Sequence, residues 1–283
     1  MFDFCANAFG YVLNIIYNLV NNYGIAIIIF TILLKLIMLP ISIKQQKTLK
    51  KSVKIQEKSK ELQEKYASDQ VRLSQELMDL YKKENMSPFS GCLSSMVQFI
   101  IILSIFYLVS RPLTYMKHVD ANIINKYTEE IQQSGERVNY PEIAIIKAKA
   151  AEDENVRINM EFLGLDLSDI PSQDYSNFKV FIIPALYVVT SLVSMKITNN
   201  MNKKKENENK EIIVEEPKEK KQDDEIDAME EMNKNMTLMM PIMSVSIALI
   251  APLGLALYWL TSNLLMIIER LVLNKFFKDE EEE

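Results

Sequence analysis

The sequence has little of what catalytic and metal-binding sites are usually built from. Its 283 residues include two cysteines, one histidine and six glycines. The cysteines, Cys5 and Cys92, lie far apart and predict neither a disulfide framework nor a zinc site. The single histidine, His118, falls in a polar stretch, and there is no glycine-rich phosphate-binding loop. We therefore expect no enzyme, no cofactor and no resident metal.

Acidic residues are missing from the interior of the apolar stretches. Away from the ends of these stretches, Lys35 is the only charged residue before Glu269 and Arg270. Proton-coupled transporters normally carry an acidic relay inside the membrane, and intramembrane proteases need a Ser/His or paired-Asp constellation. Neither pattern is visible in the sequence, so both classes lack support.

What the sequence does contain is a series of apolar blocks. Gly24–Ile43 has twenty residues, which as a helix would be about 30 Å long, the thickness of the hydrocarbon core of a bilayer. Four more blocks follow: Cys92–Val109, Phe178–Ile197, Leu238–Ala251 and Leu253–Leu273. The fourteen-residue block would span only about 21 Å, which requires a locally thinned bilayer or burial among neighbouring helices. The blocks predict an all-α polytopic membrane protein with five transmembrane helices.

Charge asymmetry predicts the orientation of these spans. Lys44–Met86 carries eleven Lys and Arg against seven acids, whereas Leu113–Asn177 carries six against twelve. Basic residues beside span ends mark the cytoplasmic side, so we expect the N-terminus outside and the C-terminus inside. Between the first two spans, apolar stripes at helical spacing flank a turn at Ala67–Asp69, which predicts a helical hairpin.

The remaining segments are polar or short. The connection 113–177 has helical signals only at Ile123–Gln133 and Ile143–Ala151, and its role stays open. The predicted organisation in chain order is an outer interfacial amphipathic helix (1–22), first span (23–43), cytoplasmic helical hairpin (44–90), second span (91–112), extracytoplasmic loop (113–177), third span (178–198), charged cytoplasmic loop (199–236), fourth span (237–251), fifth span (252–274) and short cytoplasmic tail (275–283).

Lys35 needs a physical reason, because a lysine at mid-span costs about 2.5–3.5 kcal/mol on insertion scales. Its side chain could extend toward the interface near Lys44, or it could face a polar cavity. Uncharged polar side chains lie mainly in the predicted inner half of the bilayer: Thr31, Ser42, Ser94, Gln98, Thr190, Ser191, Ser194 and Asn263. Taken singly, such residues commonly bond helix to helix. Together with one cation they favour a wet groove open to the cytoplasm.

Three long stretches resemble the YidC/Oxa/Alb family of membrane protein insertases, and specifically its bacterial five-span members. They read YGIAIIIFTILLKLIMLPISIKQQKTLKKSVKIQEK, LYKKENMSPFSGCLSSMVQFIIILSIFYLVSRPL and MMPIMSVSIALIAPLGLALYWLTSNLLMIIER. The resemblance covers Asn22–Lys117 and Phe178–Phe277. It implies five helices around a hydrophilic groove whose cation receives acidic parts of a nascent substrate, and a mobile cytoplasmic hairpin needed for insertion.

Carried over residue by residue, the resemblance makes Lys35 the groove cation, where most bacterial members have arginine. Ser194 stands where relatives often carry glutamine, and Trp259 matches a tryptophan of the groove. Gly91-Cys92-Leu93-Ser94 replaces the GCLP of many relatives. The predicted substrate groove comprises Lys35, Thr31, Gln98, Ser194, Trp259, Ser262 and Asn263.

The implied function is insertion into the bacterial plasma membrane. The chain would move short hydrophilic segments of nascent proteins across and release their hydrophobic segments into lipid. The alternative is a membrane chaperone that folds or assembles proteins already inserted beside the Sec translocon. Candidate partners are nascent membrane proteins, the lipid bilayer, the Sec translocon, the signal recognition particle receptor and the ribosome, with no direct nucleic-acid contact. The short tail ending in KDEEEE lacks the long basic extension of relatives that bind ribosomes directly.

Overall fold

The chain is mostly helical in the computed structural model, which describes residues 2–66, 69–84, 90–135, 138–210 and 246–282. Within helical stretches such as 90–98 and 198–210 the description is of the backbone alone. The helices are α1 (Phe2–Val20), α2 (Tyr23–Lys65), α3 (Gln70–Lys83), α4 (Ser90–Ser110), α5 (Pro112–Tyr115), α6 (Ala121–Gln133), α7 (Pro141–Lys149), α8 (Ile182–Lys210) and α9 (Leu253–Glu282). Two short antiparallel strands, β1 (Glu161–Phe162) and β2 (Leu165–Asp166), and 3₁₀ turns at Pro171–Gln173 and Phe178–Phe181 complete the described fold.

Three helical segments in the described part of the chain are long and apolar enough to cross a membrane. They are Tyr23–Gln45, Phe178–Ile197 and Leu253–Leu273, and they fall on the predicted first, third and fifth spans. The predicted second span coincides with α4, of which Phe99–Ser110 is a shorter apolar helix. The predicted fourth span lies largely outside the described residues, and only its positions 246–250 are seen as helix. The three segments make this a polytopic membrane protein.

The apolar helices expose large aliphatic side chains on the faces turned away from the core. On α2 the side chains of Leu36 and Ile37 are 62% and 59% exposed, and on α8 Val189 and Leu192 are similarly open. Contiguous apolar exposure of this extent is unfavourable in water. These faces are suited to contact with lipid, because lipid tails are as apolar as the aliphatic side chains.

Helix α2 is one continuous helix that runs from the first apolar segment into the predicted hairpin. It ends at Lys65, and α3 begins at Gln70 and packs against it. The predicted turn residues Ala67 and Ser68 lie outside the described residues. Asp69 caps α3 by accepting a hydrogen bond from the backbone N–H of Arg72 at 3.0 Å. An ion pair of 2.6 Å between Lys58 and Glu84 further joins the two helices.

Helix α8 likewise extends past its apolar segment. It continues to Lys210, into the stretch predicted as a charged loop from residue 199. The extension is rich in Lys, Glu and Asn and contains neither Gly nor Pro, so nothing in its sequence ends a helix that has already started. Residues 211–236 of the predicted loop lie outside the described part of the chain.

The described part of the segment predicted as an extracytoplasmic loop is a folded unit, which we call the cap (residues 112–135 and 138–181). Helices α6 and α7 match the two helical signals in the sequence. Ile145, Ile146, Val156 and Ile158 are buried and belong to one core that continues into the helices. The sequence predicts less folded structure here, because the apolar residues of the cap are dispersed among many charged residues rather than grouped in one run.

The cap holds the first turns of α2 and α9. The backbone N–H of Tyr23 donates to the carbonyl oxygen of Asn159 at 2.9 Å, and the N–H groups of Leu253 and Gly254 donate to the carbonyl oxygens of Asp169 and Leu167, both at 2.9 Å. The first N–H groups of a helix have no partner inside the helix. The cap supplies these partners for both helices and so sets where α2 and α9 begin relative to each other.

Helix α1 lies against α4 and α2, and at Gly10 its backbone comes close to the cap. A methyl group at this position would overlap the backbone carbonyl oxygen of Tyr115 in α5. A backbone atom cannot swing aside as a flexible side chain can. The glycine is therefore required by the contact between α1 and the cap.

We expect Gly10→Ala to destabilise the protein by about 1–3 kcal/mol, the usual cost of overpacking. The matched control is Gly254→Ala, because a methyl group there would meet its nearest neighbours at 3.5 Å, an ordinary contact distance. Thermal unfolding in detergent should show a lower melting temperature for the first variant only. Equal melting of the two variants would contradict the close contact.

Candidate functional site

The candidate site lies where α2 packs against α9, which in turn packs against α8. Lys35 projects from α2, and its ammonium nitrogen lies 3.4 Å from Oε2 of Glu269 on α9. The two residues are 234 positions apart in the chain. Their side chains are 26% and 12% exposed, so the pair is mostly covered yet can be reached from outside.

Lys35 and Glu269 each lower the free-energy cost of the other's charge in the apolar surroundings. A charged side chain within an apolar span is costly, and pairing with an opposite charge is the usual remedy. The N–O distance of 3.4 Å is longer than the roughly 2.7–2.9 Å of a strong charge-assisted bond. The pair is thus a single, long contact rather than a tight bidentate one.

Glu269 is the residue that sequence reasoning did not join to the site. The sequence presents it only as the next charge along the spans after Lys35. The signal that could have found it is its position inside the apolar segment of α9, one helical turn before that segment ends at Leu273. An acid at that depth needs a cation, and Lys35 lies on a neighbouring span.

Thr31 lies one helical turn before Lys35 and is buried. Its hydroxyl donates to the carbonyl oxygen of Ile27 at 2.6 Å, so its hydrogen-bond donor is used within its own helix. Of the other predicted groove residues, Ser194 on α8 is buried and Ser262 on α9 is half-buried. Gln98 falls in the part of α4 whose side chains are outside the description.

Asn263 joins α9 to α8. Its buried amide nitrogen donates to the hydroxyl oxygens of Thr190 and Ser191, both at 3.1 Å. The indole of Trp259 lies beside the ring of Tyr187 on the same interface, with centroids 6.1 Å apart. The structure therefore places Asn263 and Trp259 between two helices. Helix-to-helix bonding is the role that the sequence alone suggests for each uncharged polar residue taken by itself.

We expect Asn263→Leu to loosen the contact between α8 and α9 by about 1 kcal/mol, because interhelical bonds in membranes have about that worth. Leucine keeps the volume and removes both donated bonds. The control is Thr261→Val, since the Thr261 hydroxyl bonds only within its own helix, to Leu257 at 2.8 Å. In detergent, Asn263→Leu should have a lower melting temperature than the control. An equal or higher melting temperature would refute the role of the amide.

Two hollows open on the cap side of the molecule, the first mainly polar and the second of mixed polar and apolar lining. One, of about 420 Å³, is lined by Asn14, His118 and Asp120, and the other, of about 490 Å³, by Lys147, Asn159 and Asp166 among others. Neither is lined by Lys35 or by another predicted groove residue. Within the described residues, no group of three or more His, Cys, Asp or Glu side chains is placed to hold a metal ion.

The ion pair of Lys35 and Glu269 equips the candidate site to recognise charge. A lysine offers three N–H donors and no acceptor, and one long contact to Glu269 leaves it able to bind a further oxygen ligand. A comparison with family models shows which group of proteins this chain resembles. The model described as "60Kd inner membrane protein" matches residues 15–281, nearly the whole chain.

The chain belongs to the YidC/Oxa/Alb family.

Similar proteins within the YidC/Oxa/Alb family are bacterial. The membrane protein insertase YidC of Fusobacterium nucleatum subsp. nucleatum is 27% identical over 266 residues, which are 94% of this chain and 93% of that protein. The protein of the same name from Syntrophus aciditrophicus (strain SB) is 45% identical over 103 residues, 36% of this chain and 18% of the relative. The one from Francisella tularensis subsp. novicida (strain U112) is 38% identical over 109 residues, 38% of this chain and 20% of the relative.

The chain thus matches nearly the full length of one relative and about a fifth of the length of the other two. Family membership and the three apolar helices together make it a membrane protein of the bacterial plasma membrane. Lys35, which the resemblance predicts to be the groove cation, forms an ion pair with Glu269 in this chain.

Proposed function

We propose that this chain is a membrane protein insertase. It moves short hydrophilic segments of nascent proteins across the plasma membrane and releases their hydrophobic segments into lipid. The observation that carries the proposal is the partly exposed ammonium group of Lys35 inside an apolar helix of a YidC/Oxa/Alb chain. Its role is to lower the cost of bringing an acidic segment part-way into the bilayer.

The proposed architecture has five spans around a hydrophilic groove that opens to the cytoplasm and to lipid. Lys35 attracts acidic residues of the substrate, and Thr31, Gln98, Ser194, Trp259, Ser262 and Asn263 line the path. The hydrophobic part of the substrate leaves along α8 and α9, whose exposed aliphatic faces suit lipid. No nucleotide or covalent step is needed, because lipid partitioning of the released segment supplies the free energy.

The proposed orientation puts α1 and the cap outside and the hairpin of α2 and α3 in the cytoplasm. The basic excess of Lys44–Met86 supports it, since basic residues near span ends stay on the cytoplasmic side. The substrates are nascent membrane proteins with short outside tails. The Sec translocon, the signal recognition particle receptor and the ribosome are the proposed partners on the way into the membrane.

The test is reconstitution of the purified full chain into liposomes without any other protein. A single-span substrate with a short acidic tail is synthesised in their presence, and protection of the tail from added protease reports insertion. We expect protection with the full chain and none in empty liposomes. If the chain protects nothing but speeds the folding of a substrate inserted beforehand, it acts as a membrane chaperone and the proposal fails.

A further inference from the structure

Lys35 of this chain is already paired with a carboxylate before any substrate arrives. Glu269 supplies that carboxylate from α9, and the contact of 3.4 Å joins one ammonium to one oxygen. With the partner in place, the site carries no net charge from these two residues. A free lysine at the same place would carry a full positive charge and would attract an acid over a longer distance.

The pair is built so that it can exchange partners. The ammonium side chain is 26% exposed, so an incoming carboxylate can approach it without dismantling the packing of α2 on α9. The long N–O distance marks a contact that a closer oxygen ligand would outcompete. Glu269 also interacts electrostatically with Arg270, the next residue on α9, so a displaced carboxylate keeps a cation nearby.

We propose that Glu269 is a specificity-determining residue of the groove, acting as a resident competitor for Lys35. This inference rests on the proposed insertase function. Only a substrate whose acidic segment binds Lys35 better than Glu269 does enters the groove. Segments with several clustered acids raise the local carboxylate concentration and displace Glu269 readily. Segments with a single acid compete poorly.

The experiment compares four forms of the full chain in liposomes: wild type, Glu269→Gln, Glu269→Asp and Lys35→Ala. Each receives a matched series of single-span substrates whose tails carry zero, one or three aspartates, with protease protection as the readout. Gln keeps the shape of Glu269 and an oxygen acceptor but removes the charge. Asp keeps the charge and serves as the matched control.

We expect Glu269→Gln to raise insertion of the one-aspartate substrate about three- to tenfold, the effect of releasing a partly exposed ion pair. Insertion of the three-aspartate substrate should change little. Glu269→Asp keeps the negative charge on a shorter side chain, so it should raise insertion of the one-aspartate substrate less than Glu269→Gln does. If Glu269→Gln gives wild-type levels for every tail, Glu269 is not a competitor and the inference fails, while insertion itself stands.

Two further outcomes separate this inference from a structural role and from the proposed function. An equal loss for all three tails in Glu269→Gln, including the tail without aspartate, would show that Glu269 only holds α2 to α9 and would overturn the inference. If wild-type chain inserts none of the substrates, the proposed function fails and takes the inference with it. Lys35→Ala should erase the preference for acidic tails. If the variant keeps that preference, the inference is also overturned.

Discussion

Replacing Lys35 by alanine is expected to cut insertion of substrates with acidic tails about ten- to hundredfold. A hydrogen bond to a charged group contributes about 1.5–3 kcal/mol, and each 1.4 kcal/mol corresponds to a factor of ten in rate. The measurement is growth and substrate insertion in a bacterial strain depleted of its own insertase and supplied with the variant. Substrates whose tails carry no acid should be affected much less.

The alanine variant has a second consequence that the experiment must separate from charge capture. It leaves Glu269 without the cation that it contacts at 3.4 Å, and removing one partner of a covered ion pair is destabilising in itself. The double variant Lys35→Ala/Glu269→Gln removes this problem and still lacks the cation. If charge capture is the mechanism, the double variant stays well below wild type with acidic substrates, even though it no longer leaves Glu269 unpaired.

Lys35→Arg is the conservative control, and we expect it to retain function. Arginine keeps the positive charge and adds a planar fork of donors that fits a carboxylate. Full activity of Lys35→Ala with acidic substrates, or recovery of activity in the double variant, would each show that the positive charge is dispensable.

The second large effect is expected in the cap, where Glu142 is a buried carboxylate near the start of α7. It accepts hydrogen bonds from the backbone N–H of Thr114 at 2.9 Å and from the Thr114 hydroxyl at 2.6 Å. Glu142→Ala leaves both donors without this acceptor. A buried donor without a partner costs about 1–3 kcal/mol, so the melting temperature in detergent should fall by several degrees, and Glu142→Gln should fall much less.

The same residue is expected to make the stability of the cap depend on pH. Burial raises the pKa of Glu142 above its ordinary value, and the hydrogen bonds from Thr114 only partly offset this. Because of the raised pKa, the Glu142 carboxyl group binds its proton more tightly in the folded chain than in the unfolded chain. The resulting stabilisation is complete below the ordinary pKa and is lost as the pH rises through the raised folded pKa.

The measurement is the difference in melting temperature between wild type and Glu142→Gln from about pH 4 to pH 8. Because the amide does not titrate, wild type should lose stability relative to Glu142→Gln as the pH rises. The subtraction removes the contribution of the other titrating groups of the cap. A difference that stays constant over this range, or one that grows in favour of wild type at high pH, would contradict the assignment.

How far the sequence predicts this fold depends on the kind of signal. Long apolar runs such as Gly24–Ile43 identify spanning helices directly, since length and composition are the physical requirement. The start of α3 at Gln70 also has a local signal, because Asp69 before it is a strong helix N-cap. The fold of the cap is not predicted from the sequence, because its buried residues come together only when α6, α7 and the strand pair fold against one another.

The candidate site shows the same division. The sequence singles out Lys35, since a lysine in an apolar span is conspicuous by itself. It does not reveal the pairing with Glu269, because the two residues are 234 positions apart and their contact depends on how α2 and α9 rotate and pack. For the same reason it cannot tell that the Asn263 amide is used between α8 and α9. The roles of the remaining groove residues stay predictions.

The most direct test of the account is to map where the acidic segment of a substrate lies during insertion. A photoreactive residue is placed beside an aspartate in the tail of a stalled substrate, and crosslinked peptides of the insertase are identified by mass spectrometry. We predict crosslinks to α2 around Lys35 and to α9 around Glu269. Crosslinks confined to the outward aliphatic face of α8, such as Val189 and Leu192, would contradict capture in the groove.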